Sequence, residues 1–379
     1  MKCFLMNREH IVLTIEYDIR EDIIKNIYEI HDLERCPLSF YNIHLHYPDH
    51  DLETLNIWFR SRSIPYWRKN LDELLPNLGV SHQHELLNKA YALSLSDQYW
   101  MNPGNIEWKN INFFHHDFDC EGYIEATLND VKNKGELCSP TNTTDGMLPK
   151  LWIIENGRRI LVKSTYTNSK QEPINEWLAS QVCRRMGFDY VDYSLDVIGD
   201  KLVSKCENFI QDDEELITAF DVYYSKEKLK EENDFDYYCE ILKEYGLCNA
   251  RSTLKNMFFL DYLVMNVDRH MKNFGLIRNV ETLHFKLAPI YDTGQAMNCE
   301  NQTKNMDFED EKVKFFASLK KPLSSYQNMF DLSSYDTSRL DGLAEEYKSI
   351  LYKYQSYTGM SDERINKLVE GFEYRIKKL

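Results

Sequence analysis

Residues 266–275 read Asn266-Val267-Asp268-Arg269-His270-Met271-Lys272-Asn273-Phe274-Gly275, and they follow the strongly apolar stretch 252–265. That apolar stretch has the composition of a buried helix. Asp268 stands where the chain leaves it, so a loop is expected to carry the carboxylate out of the core. Asn273 comes five residues later. Asp268, Arg269, His270 and Asn273 crowd polar groups directly behind a core element, which an ordinary polar turn explains less well. Downstream, 274–277 and 284–290 read as paired strands, and the second leads into Tyr291-Asp292-Thr293-Gly294. A second carboxylate is thereby placed at a strand end, just before a glycine.

Working outward, the 379 residues allow one large or two to three ordinary domains. A hydrophobic content of 43% excludes disorder on compositional grounds. The formal charge of -16 sets a global field against nucleic acid phosphates, so direct nucleic acid binding is not expected. The nine cysteines form no CxxC pair and read as reduced residues of a cytoplasmic protein. The N-terminal run is broken by Asn7, Arg8, Glu9 and His10, unlike a signal peptide, and no run suits a membrane span.

Upstream of the central stretch the pattern is ordered. Residues 138–150 form a polar loop. Two apolar runs, 151–154 and 160–163, flank Asn156-Gly157, the strongest short hairpin signal because both residues tolerate positive φ. Residues 174–186 read as a helix ending at Gly187. A second hairpin turns at Gly199-Asp200. After Asn208 the chain is mostly helical, with helices at 235–245, at 252–265 and after Ser361, a capping residue. The expectation is an α+β, bilobal, kinase-like fold. Residues 136–210 form a small β-rich lobe, 211–379 a larger helical lobe, and 1–135 an accessory α/β region. In that region Trp58, Tyr66, Trp67, Tyr99, Trp100 and Trp108 are expected to fill the core. The unusual run 94–100, Ser-Leu-Ser-Asp-Gln-Tyr-Trp, marks an interface or packing motif.

Phosphoryl transfer needs a carboxylate to orient the attacking hydroxyl, oxygen ligands for Mg²⁺ and a cation on the non-transferred phosphates. The Asp268-x4-Asn273 spacing equals that of the protein-kinase catalytic loop, and Asp-Thr-Gly stands where a kinase has Asp-Phe-Gly. Lys163 closes the strand Ile160-Leu161-Val162-Lys163, and Glu176 near the start of the next helix is placed to pair with it. Each piece alone is a weak signal. Their order along the chain is what carries weight.

Together, Asn266 to Gly275 and Leu287-Ala288-Pro289-Ile290-Tyr291-Asp292 resemble the signature of HipA-type kinases, which pair an Asp-x-His-x-x-Asn-Phe loop with a Pro-x-Tyr-Asp strand. The resemblance covers roughly residues 140–300; residues 1–135 align with no family domain. It implies Asp268 as catalytic base, His270 as a residue orienting the loop or contacting phosphate, and Asn273 and Asp292 as Mg²⁺ ligands. It implies ATP held by Lys163 with Glu176, by Gly146 of the phosphate loop, and by backbone groups at Glu207 and Phe209. It further implies a protein Ser/Thr kinase, autophosphorylation at Ser139, Thr141, Thr143 or Thr144, and an antitoxin-like or regulatory protein partner. An ordinary hydroxyl-rich surface loop explains those four hydroxyls equally well. The Asp-Arg-His-x-x-Asn form also resembles phosphoinositide kinases, so a lipid or small-molecule acceptor stays open, as does a catalytically silent nucleotide-binding module. The pairs His44/His46, His82/His84 and His115/His116 lack zinc-like spacing and read as surface residues.

Overall fold

The computed structural model describes residues 1–69, 71–129, 131–132, 135–226 and 233–379. They pack as two compact units, each assembled from separated segments. The first takes Met1–Val162, Glu207–Lys230 and Leu276–Lys286; the second takes Lys163–Cys206, Glu231–Gly275 and Leu287–Leu379.

The first unit is built on an antiparallel sheet in the order Ile23–Ile30, His10–Asp18, Lys2–Asn7, Tyr99–Asn102. Val12, Leu13, Ile15 and Tyr17 of the second strand are buried with Phe40, Leu55 and Phe59 from the helices Leu38–His46 and Asp51–Ser61. Trp100, Trp108, Phe113 and Trp152 form a second cluster. Trp58, Tyr99, Trp100 and Trp108 therefore join the core as expected, but Tyr66 and Trp67 do not. They are 76% and 47% exposed and stack edge to face on each other. They precede Arg68, whose buried guanidinium points inward while the two rings turn out.

The run 94–100 packs within this unit. Gln98 Nε2 donates to the carbonyls of Gln211 and Glu214, and the Leu216 N–H donates to the Ser96 carbonyl. A buried Arg278–Glu215 pair closes the same region. The Asn-Gly hairpin joins Lys150–Glu155 to Arg158–Lys163, with φ of 51° at Asn156 and 76° at Gly157. Both values are the left-handed backbone a two-residue hairpin turn requires.

In the second unit the helix Glu172–Met186 carries Pro173 in its first turn and stops at Gly187, whose φ is 71°. Antiparallel strands Ser194–Ile198 and Lys201–Glu207 follow. The helices Asp234–Glu244, Ala250–Leu263 and Asp362–Lys378 lie close to the expected spans, and the Ser361 side chain accepts the Arg364 N–H at the start of the last one. Two local expectations need correction. The second strand of the 274–290 hairpin is short, Phe285–Leu287, because Ile290 instead bridges to Tyr190. Asp268 also lies in a short strand, Asp268–His270, which pairs in parallel with Lys312–Pro322. A partner more than forty residues away decides that strand, so no local pattern reveals it. Among the described residues no helix is long and apolar enough to cross a membrane.

Candidate functional site

Lys163 is the last residue of its strand and only 3% exposed. Burying an ammonium is costly unless it is paired and hydrogen-bonded. Its Nζ donates to Glu176 Oε1 at 2.7 Å, to Asp292 Oδ1 at 2.9 Å and to the Tyr193 hydroxyl at 3.2 Å. Burial alone would lower the Lys163 pKa, but the Asp292 and Glu176 carboxylates outweigh it and hold the ammonium well above its ordinary value. Glu176 sits in the helix Glu172–Met186 and is itself buried; desolvation pushes its carboxyl upward, and Lys163 opposes that rise. Its second oxygen accepts the Ser204 hydroxyl. Thus Tyr193, just before the strand Ser194–Ile198, and Ser204, on the strand Lys201–Glu207, complete the shell around an expected pair. Neither had a signal in the sequence.

Asp292 reaches this cluster from a left-handed backbone with φ of 57°. Asp tolerates that region better than most residues, and such conformations persist only where the surroundings over-determine them. Here they do. The Asp292 N–H donates to the Tyr193 hydroxyl, and the Ile290 N–H donates to the Asp189 carbonyl. Asn175 Nδ2 donates to the carbonyls of Gly294 and Ala296, fixing the stretch after Asp292 against the helix that bears Glu176.

The second cluster is centred on Arg269, which is 1% exposed. It meets the fully buried Asp261 in a bidentate pair, Nε to Oδ2 and Nη2 to Oδ1, both at 2.9 Å. Nη1 donates to the carbonyls of Asn273 and Tyr291, and Nη2 donates to Thr293 Oγ1. One guanidinium therefore ties the helix Ala250–Leu263, the 268–273 stretch and both neighbours of Asp292. A fork of five rigid donors suits this position as no lysine would. Burial lowers the Arg269 pKa in principle, yet Asp261 more than restores it, so the group stays charged. Arg269 stands within the sequence motif, which by itself assigns it no role. Asp261, eight residues earlier, had no signal because its partner is chosen by how the helix end meets the loop.

Within the loop, Asn273 Nδ2 donates to the Asp268 carbonyl at 2.9 Å, which turns its Oδ1 to the opposite side of the amide. The His270 carbonyl accepts the Asn273 N–H, and His270 Nδ1 accepts the Lys272 N–H. His270 Nε2 lies 3.6 Å from Asp268 Oδ2. Burial pulls the His270 pKa down, against the pull of Asp268, so the ring favours its neutral form. Lys314, opposite Asp268 in the parallel strand pair, donates to Asp268 Oδ1.

The donors suit a hard cation, with an amide oxygen at Asn273 and a carboxylate at Asp292. Among the described residues no three or more His, Cys, Asp or Glu gather to hold a metal by themselves.

The remaining candidates belong to the first unit. Gly146 adopts φ of 95°, and its carbonyl accepts from Arg68 Nε. Arg68 also donates to the Thr144 hydroxyl and carbonyl. Ser139, Thr141 and Thr144 are buried and Thr143 half-buried, so the 139–144 stretch is no surface loop. Thr141 Oγ1 accepts the Trp152 N–H, and Thr143 Oγ1 donates to the Leu93 carbonyl. Glu207 is exposed and pairs with Arg158, Phe209 is half-buried, and the Asn208 N–H between them donates to the Arg159 carbonyl.

A family model described as the HipA-like C-terminal domain matches residues 143–350, more than half of the chain. A serine/threonine-protein kinase of Helicobacter pylori (strain J99), CtkA, is 24% identical over 158 residues, which is 38% of this chain and 47% of CtkA. The match thus spans about half of that relative. A crystal structure of the H. pylori proinflammatory kinase CtkA aligns with 61% of this chain and 90% of its own, at 18% identity and a TM-score of 0.48. The structure of the Shewanella oneidensis MR-1 toxin–antitoxin system HipA, HipB and its operator DNA aligns over 99% of this chain and 95% of that chain, at 14% identity and a TM-score of 0.55. The last likeness bears on fold alone, and the fold of this chain mixes helices and strands.

Proposed function

The chain belongs to the HipA-like C-terminal domain family, and from that premise we propose that it transfers the terminal phosphoryl group of ATP to a protein serine or threonine hydroxyl. The observation that carries this reading is the joining of two clusters, Lys163–Glu176–Asp292 and Asp268–Asn273, through the single buried guanidinium of Arg269.

In this reading Asp268 accepts a hydrogen bond from the acceptor hydroxyl and then its proton. Lys163, held extended by Glu176, binds the non-transferred phosphates. Asn273 Oδ1 and the Asp292 carboxylate would hold Mg²⁺, which would supply positive charge against the phosphates. Lys163 must release Asp292 in part for both ligands to be served. Its strong preference for the charged form makes that exchange one between anions. His270, near neutral, orients Asp268 and the loop.

The reading takes 136–210 and 211–379 as the small and large lobes of a kinase fold and 1–135 as an accessory region. Autophosphorylation at Ser139, Thr141, Thr143 or Thr144 belongs to it, and these hydroxyls must first leave their present hydrogen bonds. So do Gly146 at the phosphates and the backbone of Glu207 and Phe209 at adenine. Nine free cysteines favour a cytoplasmic site of action. A protein partner of antitoxin type is supported by the complex in which the Shewanella HipA is found.

Purified protein incubated with labelled ATP and Mg²⁺, alone and with cell extract, followed by phosphosite mapping, tests the proposal. Label is expected on protein, and Asp268→Ala and Asp292→Ala should each abolish it. Binding of ATP without transfer to protein, or full activity in either variant, overturns the reading.

A further inference from the structure

Resting on the phosphoryl-transfer reading, we propose that Lys314 is a catalytic residue: the cation that meets the transferred phosphoryl group, supplied from a strand outside the 268–273 loop. A phosphoryl group in flight spreads negative charge over its equatorial oxygens, and stabilising that charge is most of the catalytic task. A cation is therefore needed beside the base. The cations of the two clusters are committed elsewhere. Lys163 is buried between Glu176 and Asp292, and Arg269 is buried on Asp261. His270 is turned onto its own loop, where its Nδ1 accepts the Lys272 N–H.

Lys314 differs from all three. The parallel pairing of Asp268–His270 with Lys312–Pro322 sets it directly opposite Asp268. The Lys314 N–H donates to the Val267 carbonyl, which anchors its backbone, and its Nζ donates to Asp268 Oδ1. Its side chain is nevertheless 43% exposed, so the ammonium touches the base and still reaches solvent. An ammonium has three donors on a flexible stem, so it can keep one on Asp268 and turn another to an arriving phosphoryl oxygen.

The step balances without a further reactant. The acceptor O–H bond breaks and its proton passes to Asp268. The acceptor oxygen bonds to the γ-phosphorus as the bond from that phosphorus to the β–γ bridging oxygen breaks, and ADP leaves with the electron pair. Lys314 transfers no proton.

The test uses the full chain and its variants Lys314→Met, Lys314→Arg, Lys272→Met and Asp268→Asn. Phosphotransfer is followed at varied ATP, and affinity is measured for Mg²⁺–ADP with and without aluminium fluoride, a mimic of the group in flight. Lys314→Met should lower kcat by roughly 10²-fold or more, the loss seen when one such donor is removed. Its KM for ATP should stay within about twofold, because the ground-state contacts remain. It should bind ADP normally and lose the tightening that aluminium fluoride brings. Lys314→Arg should recover part of kcat, and Lys272→Met should resemble wild type. A pairing that merely silences Asp268 predicts a faster Lys314→Met enzyme, and a structural role predicts parallel loss of ADP binding; either result overturns the inference. Wild-type activity abolished by Asp268→Asn but untouched by Lys314→Met sinks the Lys314 role alone. An inactive wild type sinks the phosphoryl-transfer reading and this inference together.

Discussion

Replacing Arg269 by Met removes a guanidinium that makes two bonds to Asp261 and one each to the Asn273 carbonyl, the Tyr291 carbonyl and the Thr293 hydroxyl. What remains is a fully buried carboxylate whose neighbour Asn266 Nδ2, at 2.8 Å, supplies a dipole and no charge. Breaking a buried pair from one side costs about 3–5 kcal/mol, most of it the stranded charge. The freed carbonyls add to this, though local rearrangement lets water reach them, so about 4 kcal/mol is a fair central value. Set against a total stability of about 5–15 kcal/mol, that is a large fraction. At roughly 2–4 °C per kcal/mol it corresponds to a fall in Tm of about 8–16 °C. Asp261→Asn should cost somewhat less, because it strands a cation that keeps three other acceptors. The decisive protein is the double variant, in which neither charge is left alone. Its loss should fall short of the sum of the single losses by at least about 2 kcal/mol. Urea melts of the four proteins measure this directly. Single variants within about 1 kcal/mol of wild type, or a strictly additive double variant, would refute the claim that this pair ties the two clusters together.

Other perturbations follow from the same geometry. Lys163→Met leaves Glu176 and Asp292 without their shared cation, and should cost about 3 kcal/mol near pH 8 and roughly 10²-fold in kcat/KM for ATP. The stranded Glu176 has a folded-state pKa raised by burial, so the stability of this variant is greater below the ordinary carboxylate range and is lost as pH rises through that raised value. Melts at pH 5 and pH 8 should therefore show the smaller deficit at pH 5, and adding Glu176→Gln should remove most of the difference. Gly146→Ala places a Cβ at 2.8 Å from Lys150 Nζ on a backbone with φ of 95°; it should cost about 1–2 kcal/mol and raise KM for ATP several-fold, which thermal melts and steady-state kinetics report. Of the nine thiols, Cys248 is exposed, whereas burial pushes Cys206 up to about 12, leaving about one thiolate in 10⁴ at pH 8. A thiol reagent should modify Cys248 first, Cys248→Ser should abolish that fast phase, and rapid labelling of Cys206 in the native protein would contradict its burial.

Much of the local architecture is legible in the amino-acid sequence alone. Asn156-Gly157, Pro173, Gly187 and Ser361 act through their own backbone or within a few residues, so a single sequence suffices to read them. The family likewise stood in the residues themselves, and the match over 143–350 agrees with that reading. The contrary surprises share one cause. Tyr66 and Trp67 look like core residues by composition, yet the buried Arg68 beside them takes the inward position. Thr141 and Thr144 look like surface hydroxyls, yet Trp152 and Arg68 supply partners that only folding brings near.

At the candidate site the division is sharper. By itself the sequence determined which side chains are available in order along the chain: Lys163, Glu176, Asp268, Asn273 and Asp292. Only the tertiary structure decided who pairs with whom. It gave Lys163 two carboxylates and the Tyr193 hydroxyl, gave Arg269 the buried Asp261, and set Lys314 against Asp268. The physical reason is range. Helix periods, caps and turns are fixed by backbone geometry over a few residues. A buried charge, by contrast, must find its partner wherever packing brings one, and for Lys163 and Asp292 the chain between them is 129 residues long.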